Sequence, residues 1–218
     1  MPGLPKMTSF FDPSCIHRLL CLGAHCDDIE IGAGATILRL LDLKPDLQIR
    51  WVVFGAQDPV RREEAARAAK LFAPNASVEL LDFRDAFMQY DGARLKESFE
   101  ELKRSFSPDL IFTHHDDDRH QDHRLINQFT WNTWRNHAIL EYEIFKYDGD
   151  LGRPNLFSPV SQEHVNRKIE HLHAAFQSQA SKQWFTPDVF TSLMRLRGVE
   201  SNSPSRFAEA FFARKILL

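Results

Sequence analysis

The stretch His17–Gly55, HRLLCLGAHCDDIEIGAGATILRLLDLKPDLQIRWVVFG, sets the fold class. It opens with a short apolar run, His17–Gly23, and passes through a polar turn, AHCDD. Apolar residues then recur at helical spacing within Ile31–Leu43 (Ile31, Ile37, Leu38, Leu41), and a second apolar run, Leu47–Gly55, closes the stretch. Strand, helix and strand in that order predict a βαβ unit with its two strands parallel.

Working outward, the same alternation continues. Pro59–Leu71 (PVRREEAARAAKL) reads as a helix behind Asp58 with proline at its first position. Val78–Phe83 is a third strand, Leu95–Phe106 a helix, Asp109–Thr113 a fourth strand, His123–Asn136 a helix and Leu140–Phe145 a fifth strand. The expected architecture is α/β: a Rossmann-like three-layer sandwich with a mostly parallel central sheet. Beyond Tyr147 the pattern loosens. Lys146–Pro159 reads as a long loop, Glu163–Gln179 and Asp188–Arg197 as helices, and Phe211–Leu218 as an apolar stretch that returns to the sheet. The first 15 residues, with three prolines, read as an irregular arm. No repeat or low-complexity tract divides the chain, so one domain over residues 1–218 is expected.

Composition narrows the function class. Of 218 residues, 27 are Lys or Arg and 30 are Asp or Glu, a formal charge of −3, and no basic stripe marks a nucleic-acid partner. The hydrophobic share of 43% and charged share of 26% are ordinary globular values, which excludes collagen-like and disordered chains. Cys15, Cys21 and Cys26 are too few and too crowded for a disulfide framework. No apolar run approaches the ~18 residues of a membrane span, and the first residues lack a secretory leader pattern. The expectation is a cytoplasmic protein without stable membrane insertion.

Histidine is in excess: there are ten, and His114, His115, His120 and His123 fall within ten positions. Two polar clusters follow strands. Ala24–Asp28 (AHCDD) follows the first, and His114–Arg124 (HHDDDRHQDHR) follows the fourth. Ligands of doubly wound sheets bind beyond the carboxyl ends of strands. Two His and one Asp with a position left open is the composition of a catalytic zinc site, whereas a structural site would want thiolates. Taken singly, Asp27-Asp28 reads more readily as a helix-capping pair than as ligands, and Asp116–Asp118 as a solvated loop. The metal reading rests on their coincidence at strand ends.

These residues also resemble a known family. GAHCDDIEIGAGATI (Gly23–Ile37) is similar to the signature AHPDD-(I/E)-x-x-G-x-G-G-T of the LmbE-like, PIG-L zinc-dependent N-deacetylases, and HQDHR (His120–Arg124) to the second motif, H-x-D-H. KYDGDLGRPNLF, SQASKQWF, LMRLRGVES and FAEAF resemble a bacterial branch of the same enzymes. The resemblance implies His25, Asp28 and His123 as zinc ligands and Asp27 as general base. His120 would polarise the substrate carbonyl or protonate the leaving amine, with Asp122 holding it charged. Arg61 and Asp85 match positions near the substrate; without the resemblance they read as a helix-surface charge and a strand-end cap. Arg197, Glu200 and Glu209 match later motifs, and internal ion pairs account for them equally. Tyr147, Asp148, Trp184 and Phe185 would suit a sugar pocket.

The implied substrate is an N-acetylated amino sugar or its conjugate, a small molecule, with Zn2+ as cofactor and Fe2+ compatible with the same two-His, one-Asp set. A homo-oligomer is compatible with the family. Three departures stand out. Cys26 replaces the motif proline, giving up its fixed φ for a thiol that reads as an inert buried residue or a soft extra ligand. Ala33 and Ala35 stand where the family often has Cys and Gly. Two other readings are a metal-binding relative without activity and a nucleotide-binding oxidoreductase. For the latter, Gly32-x-Gly34 follows a strand, but a third glycine and an acid ending the second strand are missing.

Overall fold

The computed structural model describes residues 12–216. Its strands are β1 (Arg18–Gly23), β2 (Gln48–Val53), β3 (Ser77–Leu80), β4 (Leu110–His114), β5 (Ala138–Tyr142), β6 (Leu156–Pro159) and β7 (Ala208–Phe212). The helices are α1 (Asp28–Leu43), α2 (Pro59–Phe72), α3 (Gly92–Ser105), α4 (Gln121–Thr133), α5 (Gln162–Ala175) and α6 (Pro187–Glu200). The seven strands form one sheet in the order β3-β2-β1-β4-β5-β7-β6. The first five strands pair in parallel, and β7 is antiparallel to both β5 and β6.

Both faces of the sheet are covered. Leu19, Cys21, Trp51 and Val53 face a core shared with α1, α2, α5 and α6, while Leu20, Leu22 and Val52 face one shared with α3 and α4. This two-sided burial is why the central strands read as continuous apolar runs. The order places β2 on one side of β1 and β4 on the other, so the chain reverses direction across β1. The crevice at their carboxyl ends is the topological switch point, where open α/β sheets bind ligands. The two polar clusters are the segments that leave those two strands.

Gly32 and Gly34 serve packing. A Cβ on Gly32 would stand 2.2 Å from the Tyr142 ring, and one on Gly34 2.6 Å from Phe72. The pair therefore lets α1 settle against the sheet and α2, and does not form a phosphate cradle.

Several expected boundaries move. α1 begins at Asp28, with Asp27 at the N-cap position but making no capping hydrogen bond, so the capping reading of that residue fails. α4 starts at Gln121 behind His120, which puts His123 in its first turn. The long loop after Lys146 ends in strand β6, and the chain returns to the sheet at Ala208–Phe212, which meets the expected Phe211–Leu218 only at its first two residues; residues 217–218 lie outside the described residues. The helix expected over Glu163–Gln179 is α5 followed by a 3-10 turn, Gln177–Gln179. Of the expected arm, residues 1–11 lie outside the described residues, and Pro13–Cys15 forms one 3-10 turn capped by Asp12.

Candidate active site

Residues 24–27 turn the chain from β1 into α1. The turn is tied by the His25 N–H, which donates to Asp28 Oδ2 at 2.6 Å. On the other side of the switch point, residues 115–120 lead from β4 to α4, and the His120 N–H donates to Asp118 Oδ1 at 2.8 Å. The two turns bring two imidazoles and one carboxylate together. His25 Nδ1 lies 3.1 Å from His123 Nε2 and 3.4 Å from Asp28 Oδ2, and His123 Nε2 lies 3.5 Å from Asp28 Oδ1. Ligand atoms of a tetrahedral ion with bonds of ~2.0–2.1 Å stand roughly 3.3–3.4 Å apart. The expected two-His, one-Asp set is thus spaced much as the ligands of one divalent ion are, with His25 and His123 facing different oxygens of Asp28.

The other nitrogen of each histidine meets a carboxylate. His123 Nδ1 lies 2.9 Å from Asp118 Oδ2; His25 Nε2 lies 3.0 Å from Asp85 Oδ1 and 3.3 Å from Asp122 Oδ2. Such partners take the ring proton and leave the inward nitrogen free to ligate. Burial alone would push His25 down, but Asp28, Asp122 and Asp85 outweigh it and raise it well above the ordinary histidine value. Burial would also raise Asp118; the His123 hydrogen bond, nearby imidazoles and Lys146 at 2.9 Å instead hold its carboxyl well below the usual range. Asp118 is thus buried beside a candidate ligand, not part of a solvated loop.

Asp27 faces the same crevice. Its Oδ2 lies 2.9 Å from Arg61 Nη2; Arg61 Nη1 donates to Glu64 at 2.6 Å, and Glu64 accepts from the Ser178 N–H and hydroxyl, each at 2.7 Å. Burial raises the Asp27 carboxyl; Arg61 opposes and Asp28 adds to the rise, leaving it less acidic than usual. Arg61 is therefore a clamp on Asp27 at the pocket wall rather than a helix-surface charge.

His120 stands with its ring 4.7 Å from those of both His25 and His123. Its Nδ1 accepts from the backbone N–H of Asp122 at 3.3 Å, so Nε2 carries the proton of a neutral ring. Burial, then His25 and His123, lower its pKa. The Asp122 charge favours a protonated His120, as expected, but burial and the two neighbouring imidazoles outweigh it, and the carboxylate itself accepts from the Ala86 N–H at 2.7 Å and contacts His25.

The sequence reading left His114 at the strand end with no part in the site. It is fully buried, stacks on His123 with centroids 3.9 Å apart, and its Nε2 lies 3.2 Å from Asp28 Oδ2 while accepting from the Ala24 N–H at 2.9 Å. Burial, reinforced by His123, pushes it down to about 4, so it is neutral. The available signal was its place as the last residue of a buried strand. Its neighbour His115 belongs elsewhere, stacked on Phe212 and bonded to Glu141, which Arg214 neutralises.

A cavity of about 600 Å³ opens over these groups, lined also by Arg84, Lys146, Lys182 and Trp184. Trp184 lines the cavity, whereas Phe185 is core and Tyr147 is exposed outside the cavity wall. Cys26 is buried, its thiol directed at the Gly55 carbonyl at 3.7 Å, and burial pushes it up to about 12, which is the inert reading. Arg197 pairs with Glu143 at 2.6 Å and with the exposed Glu200 at 2.7 Å, and Glu209 with Lys168 at 2.7 Å, so all three are engaged in ion pairs within the chain. Glu209 also accepts from the Ala35 and Thr36 N–H groups of α1. No described helix is long and apolar enough to cross a membrane.

Comparison with known proteins agrees with this geometry. "Uncharacterized deacetylase YaiS" of Escherichia coli K12 is 29% identical over 166 residues, spanning 71% of this chain and 88% of that protein. The N,N'-diacetylchitobiose deacetylase of Pyrococcus horikoshii superposes with a TM-score of 0.74 over 94% of this chain and 86% of its own, at 19% identity. GalB, the 4-carboxy-2-hydroxymuconate hydratase of Pseudomonas putida, superposes with a TM-score of 0.68 over 92% and 97% at 19% identity. At such identities these structures show a common fold, and that fold serves more than one reaction. The family model described as PIG-L, GlcNAc-PI de-N-acetylase, matches residues 20–134, more than half of the sequence and both polar clusters. The chain belongs to the PIG-L family of deacetylases.

Proposed function

We propose that this deacetylase is zinc-dependent and removes the N-acetyl group of an amino sugar or its conjugate. The observation that carries the reading is the convergence of His25 Nδ1, His123 Nε2 and the Asp28 carboxylate within 3.1–3.5 Å of one another beside Asp27. His25, Asp28 and His123 would hold the ion, which when bound supplies Lewis-acid polarisation and a more acidic water. Fe2+ suits the same donors.

The protein's own groups divide the proton work. Asp27 has one oxygen on Arg61, so its second oxygen is free to take the proton of the attacking water and to return it to the departing nitrogen. His120, with Nδ1 occupied by the Asp122 N–H, offers Nε2–H to the carbonyl oxygen as charge develops there. Of the two roles the sequence left open for His120, this hydrogen bond supports polarisation of the carbonyl. Trp184 offers the apolar face that a pyranose needs. A cytoplasmic setting belongs to the same reading, with Cys15, Cys21 and Cys26 too crowded in sequence for a disulfide framework.

The test is acetate release by zinc-loaded protein from a panel of free, nucleotide-linked and lipid-linked N-acetyl sugars. Turnover of at least one, abolished by a chelator and restored by zinc, is the expected result. No release across the panel from protein that binds zinc stoichiometrically would favour a metal-binding relative without activity.

A further inference from the structure

Most charged side chains at the cavity have a charged partner. Asp27 is paired with Arg61, Asp118 with Lys146, and Asp85 with His25. Asp58, at the rim, is engaged as the cap of α2, accepting from the Arg61 N–H at 2.9 Å. Two lining cations have no carboxylate partner among the described residues. Arg84 and Lys182 make no ion pair with any described carboxylate, although both border the same cavity. They come from separate segments, Arg84 from the stretch after β3 and Lys182 from the stretch between the Gln177–Gln179 turn and α6.

Each of the two lies against an aromatic ring. The Arg84 guanidinium sits 3.7 Å from the Phe87 ring centre, and Lys182 Nζ 5.5 Å from that of Trp184. A cation resting on a ring is restrained without losing its hydrogen-bond donors, so less freedom is lost when an anion arrives. Arginine's planar fork matches the paired oxygens of a carboxylate or phosphate, and lysine adds a point charge. A neutral sugar has no use for two unpaired cations at the mouth of its pocket.

We propose that the substrate's amino sugar carries an anionic group, a carboxylate or a phosphate, which Arg84 and Lys182 hold at the rim while the acetamide lies below at the metal site. The proposal rests on the deacetylase reading above and adds the substrate's charge to it. A single exposed ion pair contributes little, so the preference comes from two cations closing on one anion.

The experiment compares kcat/KM within two matched pairs at low ionic strength. One is N-acetylglucosamine 1-phosphate against the methyl glycoside of N-acetylglucosamine; the other is an N-acetylhexosaminuronate against its methyl ester. The wild type is expected to favour the anionic member of one pair by roughly tenfold or more, and the pair that responds identifies phosphate or carboxylate. In the double variant Arg84→Gln, Lys182→Gln, checked for native circular dichroism, that ratio should fall to within about threefold, as it should for the wild type in high salt. Turnover of both pairs with ratios near one would overturn the proposal and leave the deacetylase reading intact. A strong preference that survives the double substitution would overturn it as well. No acetate from any of the four would overturn both.

Discussion

Ala86 donates its backbone N–H to Asp122 Oδ2 at 2.7 Å from a left-handed backbone, φ 64°, and that same oxygen lies 3.3 Å from His25 Nε2. An alanine at positive φ is uncommon and costs roughly 1 kcal/mol or more. Here it aims one amide at the carboxylate that orients a candidate zinc ligand. Ala86→Pro removes the donor and forces φ to the opposite sign. Zinc affinity, measured by competition with a chromophoric chelator, should fall about 10–100-fold, the usual cost of losing an outer partner. Ala86→Gly keeps the donor and relieves the strain, so its affinity should stay within about threefold of wild type. Wild-type affinity in the proline variant would show that Asp122 needs no such support.

The proposed base and the proposed ligand are separable because Asp27 is held by Arg61 and His123 by Asp118. Asp27→Ala should retain one zinc per chain and lose roughly 10²–10⁴ in kcat. His123→Ala should lose the metal itself, read by elemental analysis after gel filtration. If both variants keep zinc and turnover, the assignment of the site is wrong.

The parallel half of the sheet was legible because its strands are buried on both faces and separated by amphipathic helices, two periods that a sequence displays directly. The far edge was not. β6 pairs on one side only and ends in Pro159, so its four residues merged with the loop before it. β7 carries Glu209 in mid-strand, a charge that interrupts the apolar run and is tolerated because Lys168 reaches it from α5. In the site, His25, Asp27, Asp28, His120 and His123 lie in two contiguous motifs and could be read as such. His114 and Asp118 gain their roles only when α4 folds back over the end of β4. The contacts of Asp122 were not legible for a related reason: its carboxylate turns toward β1 and the segment after β3, and nothing local in the sequence reports that direction.

Away from the site, Glu141 gathers His115 Nδ1 at 3.0 Å, the Trp131 indole N–H at 2.7 Å and Arg214 at 2.8 Å. Burial would raise its carboxyl, but these donors win and hold it below the ordinary value of 4.5. A carboxyl depressed by folding contributes stability above its unfolded value, and that contribution disappears as pH falls through the folded one. Tm of the wild type should therefore drop more steeply below pH ~4.5 than that of Glu141→Gln, whose side chain does not titrate. At pH 7 the variant should be less stable by about 1–3 kcal/mol. Parallel Tm–pH curves would remove Glu141 from the acid response.

Thiol labelling should follow burial. Cys15 is exposed, and Cys21 and Cys26 are buried. Iodoacetamide at neutral pH should modify one thiol in the native protein and three after unfolding, as counted by intact mass. Native labelling of Cys26 would mean that the turn between β1 and α1 opens, and would overturn the inert reading of that thiol.

The sharpest packing constraint is at Gly198 in α6. A Cβ there would stand 2.1 Å from the Arg206 carbonyl oxygen and 2.6 Å from Phe207 Cα, and both obstacles are backbone. No rotamer change relieves the clash, so α6 must move away from the chain that enters β7. That motion would pull on the neighbouring Arg197, which is bonded to Glu143 at 2.6 Å beneath it. Gly198→Ala should cost about 3 kcal/mol, the upper range for overpacking, and lower Tm by roughly 6–12 °C. Gly92→Ala is the matched control. Gly92 already has helical angles, φ −55° and ψ −38°, and an added Cβ meets nothing within 4 Å. It should be neutral or stabilise by about 0.4–1 kcal/mol, because alanine narrows the unfolded ensemble. Equal Tm values for the two variants would mean that the close approach of α6 to the chain entering β7 is not a constraint on the fold.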